Sequence, residues 1–287
     1  MKKSACMILC VLLLLLSCGS AMADVPVGTE MRVANCSSFI TLRWGPDTQE
    51  EEIAKLDLGE AVIYLEQAEN GFARVGTPWG RGYVLERYLE MADFPKDSRA
   101  IGDNLTDQER YNINLFLSNF TEADFAWDKG YFTLDDDAAM VDFAINHVWF
   151  NQQDKIEWLD DFDEFNVRLD TKYIKPVTEK YFGVEPKCYA PTWVCWIDSG
   201  YFWTETGGHV PSGFAQETAV QTMDDGYYDV WFEVCGDGDN WTNECCGWTL
   251  EQARAAYPCE KISVGYACIY AEDLSDRSTF KLVKYAK

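Results

Sequence analysis

The sequence predicts an α+β chain in two folded parts, a small all-β barrel over residues 30–91 and an α+β domain over residues 104–287. Three observations predict it. Short runs of strand formers separated by Gly, Pro and Asn turns fill the first part. Helical periodicity opens the second part and later gives way to alternation with period two. Hydrophobic residues make up 47% of the 287-residue chain and aromatics 15%, far from the low hydrophobicity of a disordered chain, so there is apolar material for two cores.

The chain opens with Lys2 and Lys3, an apolar run from Met7 to Leu16, and a small-residue exit. A transmembrane helix needs roughly 20 apolar residues, so this run reads as a secretory signal over residues 1–23. Two exits compete. Ala21-Met22-Ala23 fits small-x-small cleavage ahead of Asp24, whereas Leu15-Leu16-Ser17-Cys18 resembles the bacterial lipobox, which would make Cys18 a lipidated N-terminus. The expected location is secreted or extracytoplasmic, with any membrane attachment through that lipid alone.

In the first part, Met31–Val33, Ile40–Leu42, Ala61–Leu65, Phe72–Val75 and Tyr83–Val84 read as five short strands. Gly45-Pro46-Asp47, Leu58-Gly59-Glu60 and Asn70-Gly71 are the turns between them. Short strands with Gly turns over about 60 residues suit a small closed or partly closed barrel. The runs Ile40-Thr41-Leu42-Arg43 with Pro46, Leu58-Gly59-Glu60-Ala61-Val62, Asn70-Gly71-Phe72-Ala73-Arg74-Val75, Gly82-Tyr83-Val84 and Tyr88-Leu89 resemble the bacterial SH3 family in order and spacing. That resemblance implies an SH3-like barrel, a module of exported and cell-wall proteins whose members often bind wall peptides or other peptides. The aromatic motif of eukaryotic signalling SH3 domains is absent, so proline-rich ligands are not implied. Trp44, Trp79 and Tyr88 are the candidate ligand-groove residues, because the two tryptophans sit at turns beside Gly or Pro. The bland alternative is that these aromatics are core.

Residues 92–103 read as a linker. Thr106 and Glu109 then form a capping box ahead of Ile113, Phe116, Leu117 and Phe120 at helical spacing. A second helix spans Asp136 to about Asn151, with acids in its first turn. A third runs from Ile174 to Phe182, with Pro176 near its start and Gly183 just past its end. Strands follow at Thr192–Ile197, Thr218–Met223, Tyr227–Val234, Ser263–Tyr270 and Thr279–Tyr285, interrupted by a short helix over Glu251–Ala256 capped by Thr249. Helices first and strands later suggest helices packed on one face of an antiparallel sheet. A curved sheet with a helix-lined pocket, in the manner of NTF2-like domains, is an analogy at the level of architecture.

Three of the 11 cysteines lie in the signal, and Cys36, Cys188, Cys195, Cys235, Cys245, Cys246, Cys259 and Cys268 remain. An even number in an exported chain points to disulfides concentrated in the second part, with the pairing open. Zinc is the rival reading, but no closely spaced Cys-x₂₋₄-Cys ligand pair occurs. The formal charge is -24, and the signal carries two lysines and no acids, so its removal makes the charge -26. Such a surface repels phosphate backbones and anionic lipid, which excludes nucleic acid as a partner.

Chemistry is thinly marked. His147 lies between apolar positions of a helix and reads as a satisfied core histidine, while His209 follows Gly207-Gly208 in an aromatic-flanked loop and is the better site candidate. A Cys–His nucleophile needs a spare thiol, and the even cysteine count offers none. The acids at Asp135–Asp137, Asp160-Asp161 with Asp163, and Asp224-Asp225 lack the opposed placement that glycosidases require. Asp237-Gly238-Asp239-Asn240 with Asn243 and Glu244 has oxygen ligands but not the order of a calcium loop. No phosphate-cradling or dinucleotide motif is present, and neither a cofactor nor a metal is expected. The sequence therefore predicts a non-enzymatic binding protein whose partner is peptidoglycan, or a surface protein or peptide. The alternative is an extracellular hydrolase using acids of the second part on a wall or other polymer.

Overall fold

The structure, a computed structural model, describes residues 25–77, 79–91, 99–100, 105–126, 129–159, 167–191, 196–204, 213–235, 243–256 and 263–287. The signal with Cys18, most of the linker, His209, Cys195, Cys259 and the acids at 160–163 and 237–240 lie outside those residues. The chain is α+β, with antiparallel sheets throughout.

Strands β1 (Glu30–Val33), β2 (Phe39–Arg43), β3 (Glu52–Asp57), β4 (Ala61–Gln67), β5 (Phe72–Thr77), β6 (Gly80–Leu85) and β7 (Leu89–Met91) form one sheet in the order β3-β2-β6-β5-β4-β1-β7. Alternation turns Met31, Val33, Leu42, Val62, Val75 and Val84 into one buried cluster of their own. The β4–β5 turn is made by Asn70 and Gly71 at φ 58° and 72°, the double positive φ of a type I′ hairpin. Where the sequence predicts five strands there are seven. β3 escapes prediction because its sequence, EIAKLD, is charged at three of six positions and buries only Leu56 fully.

The second part opens with β8 (Arg99–Ala100), inside the stretch expected to be linker, which pairs with residues 221–222. Then come α1 (Asp107–Glu122), β9 (Tyr131–Thr133), α2 (Asp137–Asn151), β10 (Ile156–Trp158), β11 (Val167–Asp170) and α3 (Ile174–Phe182). They are followed by β12 (Trp196–Asp198), β13 (Tyr201–Thr204), β14 (Phe214–Thr222), β15 (Tyr227–Cys235), α4 (Leu250–Ala256), β16 (Ser263–Tyr270) and β17 (Lys281–Ala286). A six-stranded sheet runs β8-β14-β15-β16-β17-β9, and a four-stranded one β10-β11-β13-β12.

The ends of the helices follow from their sequence. Thr106 caps α1 in a reciprocal box with Glu109, Asp136 caps α2, and Gly183 at φ 74° closes α3. Helix α1 lies on β14 and α3 on β17. Between them is an aromatic core in which Phe120 stacks on Phe143 at 4.5 Å and Phe125, Phe132, Phe182 and Tyr285 fill the remaining space.

Helix α1 also buries a polar stripe. Ser118 Oγ accepts from Ala215 N, Asn114 Oδ1 accepts from Glu217 N, and Thr121 Oγ1 donates to Gly213 O. These are backbone groups on the flank of β14 that β8, pairing only at 221–222, does not reach. The stripe therefore satisfies a sheet edge that would otherwise be open. Asn114 Nδ2 further donates to Gln216 Oε1 and to Cys246 O, which binds the 243–247 turn to the same helix.

The two parts touch through small residues. A methyl group at Gly76 of β5 would lie 2.7 Å from Tyr131 Cδ1 and 2.8 Å from the Lys129 carbonyl, and one at Gly28 would lie 2.2 Å from Tyr266 Cδ1. Only the absence of a Cβ lets these backbones approach so closely.

Candidate functional site

Trp44 and Trp79 are each 64% exposed, on the loop after β2 and at the head of β6. Neither is core, so the bland reading of these two indoles is set aside. Tyr88 is half-buried against the first cluster, with the Arg87 guanidinium over its ring at 4.8 Å. Among the described residues, no ring contact joins these three side chains into one groove.

The acid run at 135–137 is taken up by structure. Asp135 accepts from Thr133 Oγ1, Asp136 caps α2 and pairs with Lys129 at 2.7 Å, and Asp137 Oδ2 accepts the backbone N–H groups of Lys187 and Cys188. Asp225 occupies the positive-φ position of the β14–β15 turn, at φ 58°. Among the described residues, no group of three or more His, Cys, Asp or Glu side chains is placed to hold a metal ion.

Cys36, Cys188, Cys246 and Cys268 carry thiols in the structure. They are dispersed: Cys36 against the first core, Cys188 exposed after α3, Cys246 under α1 and Cys268 on β16. Cys235 and Cys245 share a third, small core with Phe214 and Ala253. Burial pushes the Cys246 thiol up to about 11 despite the Ser118 hydroxyl at 3.6 Å. Burial and the Asp229 carboxylate push Cys268 up to about 12. Both are protonated at neutral pH and are poor nucleophiles.

A concavity lies elsewhere, in the second part. A cavity of about 800 Å³ opens between α1, α2, α3 and the turn around Arg277. One stripe of α1, from Gln108 through Asn112, Leu115 and Asn119 to Glu122, forms one wall, as residues three and four apart share a helix face. From α2, His147 and Asn151 face it four residues apart, and α3 contributes Lys180 and Tyr181. Phe116, Tyr181 and Phe280 supply the aromatic surface.

Its polar groups are linked. The Tyr181 hydroxyl donates to Asn119 Oδ1 at 2.9 Å and accepts from Lys180 Nζ at 3.2 Å. Asn151 Nδ2 lies 3.2 Å from His147 Nδ1. His147 is 4% exposed, stacks on Phe143 and meets the edge of Tyr181. That burial, reinforced by the charges of Lys180 and Lys155, lowers its pKa to about 4. A neutral imidazole accepting at Nδ1 carries its proton on Nε2. Burial raises the Glu122 carboxyl above its usual range, opposed by a hydrogen bond from Asn151. Burial pulls the Lys180 ammonium down, and the Arg277 and Lys281 charges pull it further.

This site was not singled out in the sequence. The candidate His209 lies outside the described residues, and His147 reads there as a core residue, which by its burial it is. The cavity is assembled from α1, α2, α3 and the 276–280 turn, which lie far apart in sequence, and no local motif announces it. The signal that existed was the pairing of His147 and Asn151 one helical turn apart, beside a first helix rich in Asn.

No family model matches the chain, and no curated protein matches it. A solved structure of NlpC2 from Trichomonas vaginalis aligns over 83% of this chain and 72% of its own, at 12% identity and a TM-score of 0.21, a likeness too slight to carry any argument about fold or function.

Proposed function

We propose that the chain is an exported surface binding protein, in which an SH3-like barrel over residues 30–91 docks on wall peptide or a surface partner and the α+β domain presents a ligand cavity. The observation that carries it is the pair of indoles, Trp44 and Trp79, each 64% exposed on the N-terminal sheet. Tryptophan is among the residue types most enriched where interfaces are anchored. The export leader and the run of residues resembling bacterial SH3 modules support the same reading.

Binding is favoured over hydrolysis by the chemistry of the cavity. Its histidine is neutral and bonded to an amide, and among the described residues no Ser, Thr or Cys side chain hydrogen-bonds to it. It does contain two acids, and Glu122 has a raised pKa, as a general acid would. The second, Asp276, accepts the Ser278 N–H at 3.0 Å as the cap of a turn, so it is engaged in structure. Among the described residues of the cavity no nucleophile is bonded to a base of its own, whereas a polar-lined, aromatic-walled cavity suits ligand capture.

The test is co-sedimentation of the leaderless protein with purified peptidoglycan at physiological salt. The wild-type chain is expected to pellet, and Trp44→Ala with Trp79→Ala to weaken retention about tenfold or more, as loss of interface anchors does. If the wild-type chain stays in the supernatant, wall attachment is wrong. If the double variant pellets as well as the wild type, the two indoles are not the anchors.

A further inference from the structure

We infer that the cavity of the α+β domain binds a small organic anion, its acidic group held between Lys180 and Arg277 and its body lying on Phe116, Tyr181 and Phe280. The inference rests on reading that cavity as a binding site and assigns its ligand class.

Charge is the first observation. The chain has 48 acids and 24 Lys and Arg residues, so a basic side chain has acids to pair with almost anywhere. Lys180, Arg277 and Lys281 nonetheless converge, and among the described residues none of them has a carboxylate within 4.0 Å. Lys129, Arg168, Lys175 and Arg254 are in ion pairs; Lys55, Arg87 and Lys155 are in none of the ion pairs among the described residues either, so what sets Lys180 and Arg277 apart is that they lie together at one cavity. Lys281 Nζ donates to the Lys180 carbonyl at 2.8 Å, which brings a second ammonium to the same helix end. Three cations held together without a counter-charge repel one another, and this repulsion adds to burial, the larger cause, in pulling Lys180 below its usual pKa. An anion at that point relieves the repulsion and gains charge-assisted hydrogen bonds from both Lys and Arg.

Shape and polarity are the second. Lys180 and Arg277 both line the cavity, so an anion between them is continuous with its interior. Two acids share the space. Asp276 has Oδ1 occupied by Ser278 N, and Glu122 is bonded by Asn151, with a pKa raised by burial. Neither pairs with Lys180 or Arg277. The amides of Asn119, Asn151 and Gln152 can donate to and accept from a hydroxylated or amide-bearing body, and the aromatic faces cover its apolar side. A volume of about 800 Å³ exceeds an inorganic ion by far and fits an organic acid the size of a sugar derivative or larger.

Calorimetric titration of the leaderless chain with four probes of one body size decides it: glucuronate, glucose 6-phosphate, glucose and glucosamine. Heat of binding is expected for the two anions and none for the neutral or cationic sugar. Whichever anion binds more tightly assigns a carboxylate or a phosphate. The double variant Lys180→Gln, Arg277→Gln is expected to lose about tenfold or more in affinity. Lys55→Gln removes the same kind of charge on the N-terminal sheet and is expected to change nothing. Binding of glucose or glucosamine as tightly as the anions overturns the anion assignment while leaving a ligand cavity. Equal anion binding by wild type and double variant overturns the assigned position, and no heat from any probe overturns the inference altogether. None of these outcomes bears on sedimentation with peptidoglycan, so the wall-docking reading stands or falls separately.

Discussion

His147 concentrates the residue-scale physics of this protein. Buried between Phe143 and Tyr181 and near two lysines, it is held neutral in the folded state, with a pKa of about 4, while an unfolded chain has it near 6.5. Below about pH 6.5 the unfolded state therefore binds a proton that the folded state refuses, so stability falls as the pH falls and levels off near pH 4. The Lys180 and Lys155 charges act in the same direction, and the raised Glu122 carboxyl, bridged through Asn151, acts in the opposite one. Urea unfolding of wild type and His147→Gln at pH 7 and pH 4 isolates the histidine. The wild type is expected to lose about 3 kcal/mol more than the variant between the two pH values; equal losses would mean the imidazole is not held neutral. The sequence marked His147 as a satisfied core histidine and was right about its burial. What it does not display is the company of Asn119, Asn151 and Tyr181, because those contacts join α1, α2 and α3, and a single sequence carries no measure of such distances.

At the scale of elements, α1 shows both what pattern reading finds and where it stops. Its cap and its apolar face were legible: Thr106 and Glu109 close the box, and Ile113, Phe116, Leu117 and Phe120 are buried. Its buried polar residues were not, since no apolar periodicity marks Asn112, Asn114, Ser118 and Thr121, which are buried as well. The reason is that β14 has an unpaired flank, and polar side chains on a helix serve it better than apolar ones. Replacing Asn114 by Leu, which leaves Glu217 N and Cys246 O without their partner, is expected to cost about 2–4 kcal/mol, since each buried group left unsatisfied costs about 1–3 kcal/mol. Chemical denaturation of the variant checks it, and a change below about 0.5 kcal/mol, the size of an ordinary surface substitution, would show that these hydrogen bonds do not stabilise the fold. The Asn70-Gly71 hairpin was the most legible element. Asp225-Gly226 makes the same double positive-φ turn, a geometry few dipeptides adopt without strain, but in the sequence Asp225 stood out only as one of an acid pair. Strand β3 and the edge strand β8 were the least legible, because an edge strand with one buried side needs few apolar residues.

For the whole molecule, the two cores are separate clusters joined by a narrow contact. Gly76 packs against the Lys129 carbonyl and Tyr131, Gly28 against Tyr266, and Gly130 against Arg81 and Leu65. Gly76→Val is expected to push these surfaces apart, because the carbonyl of Lys129 cannot swing away as a side chain would. Overpacking of this kind costs about 1–3 kcal/mol. Limited proteolysis of the variant is expected to release the N-terminal sheet earlier than in wild type, and identical digestion would show that the contact carries no load. The division into two cores was legible from the change of pattern along the chain. The contact was not, since a glycine in a strand gives no sign of which neighbour it admits.

That contact also governs how the molecule rotates in solution. Two bodies on a loose tether reorient independently, each at the rate of its own small mass. With Gly28 and Gly76 seated against their aromatic neighbours, backbone nitrogen relaxation should return a single correlation time for both halves. The indoles of the first part and the cavity of the second would then keep a fixed mutual orientation, so that whatever surface holds the first also sets the direction in which the second faces.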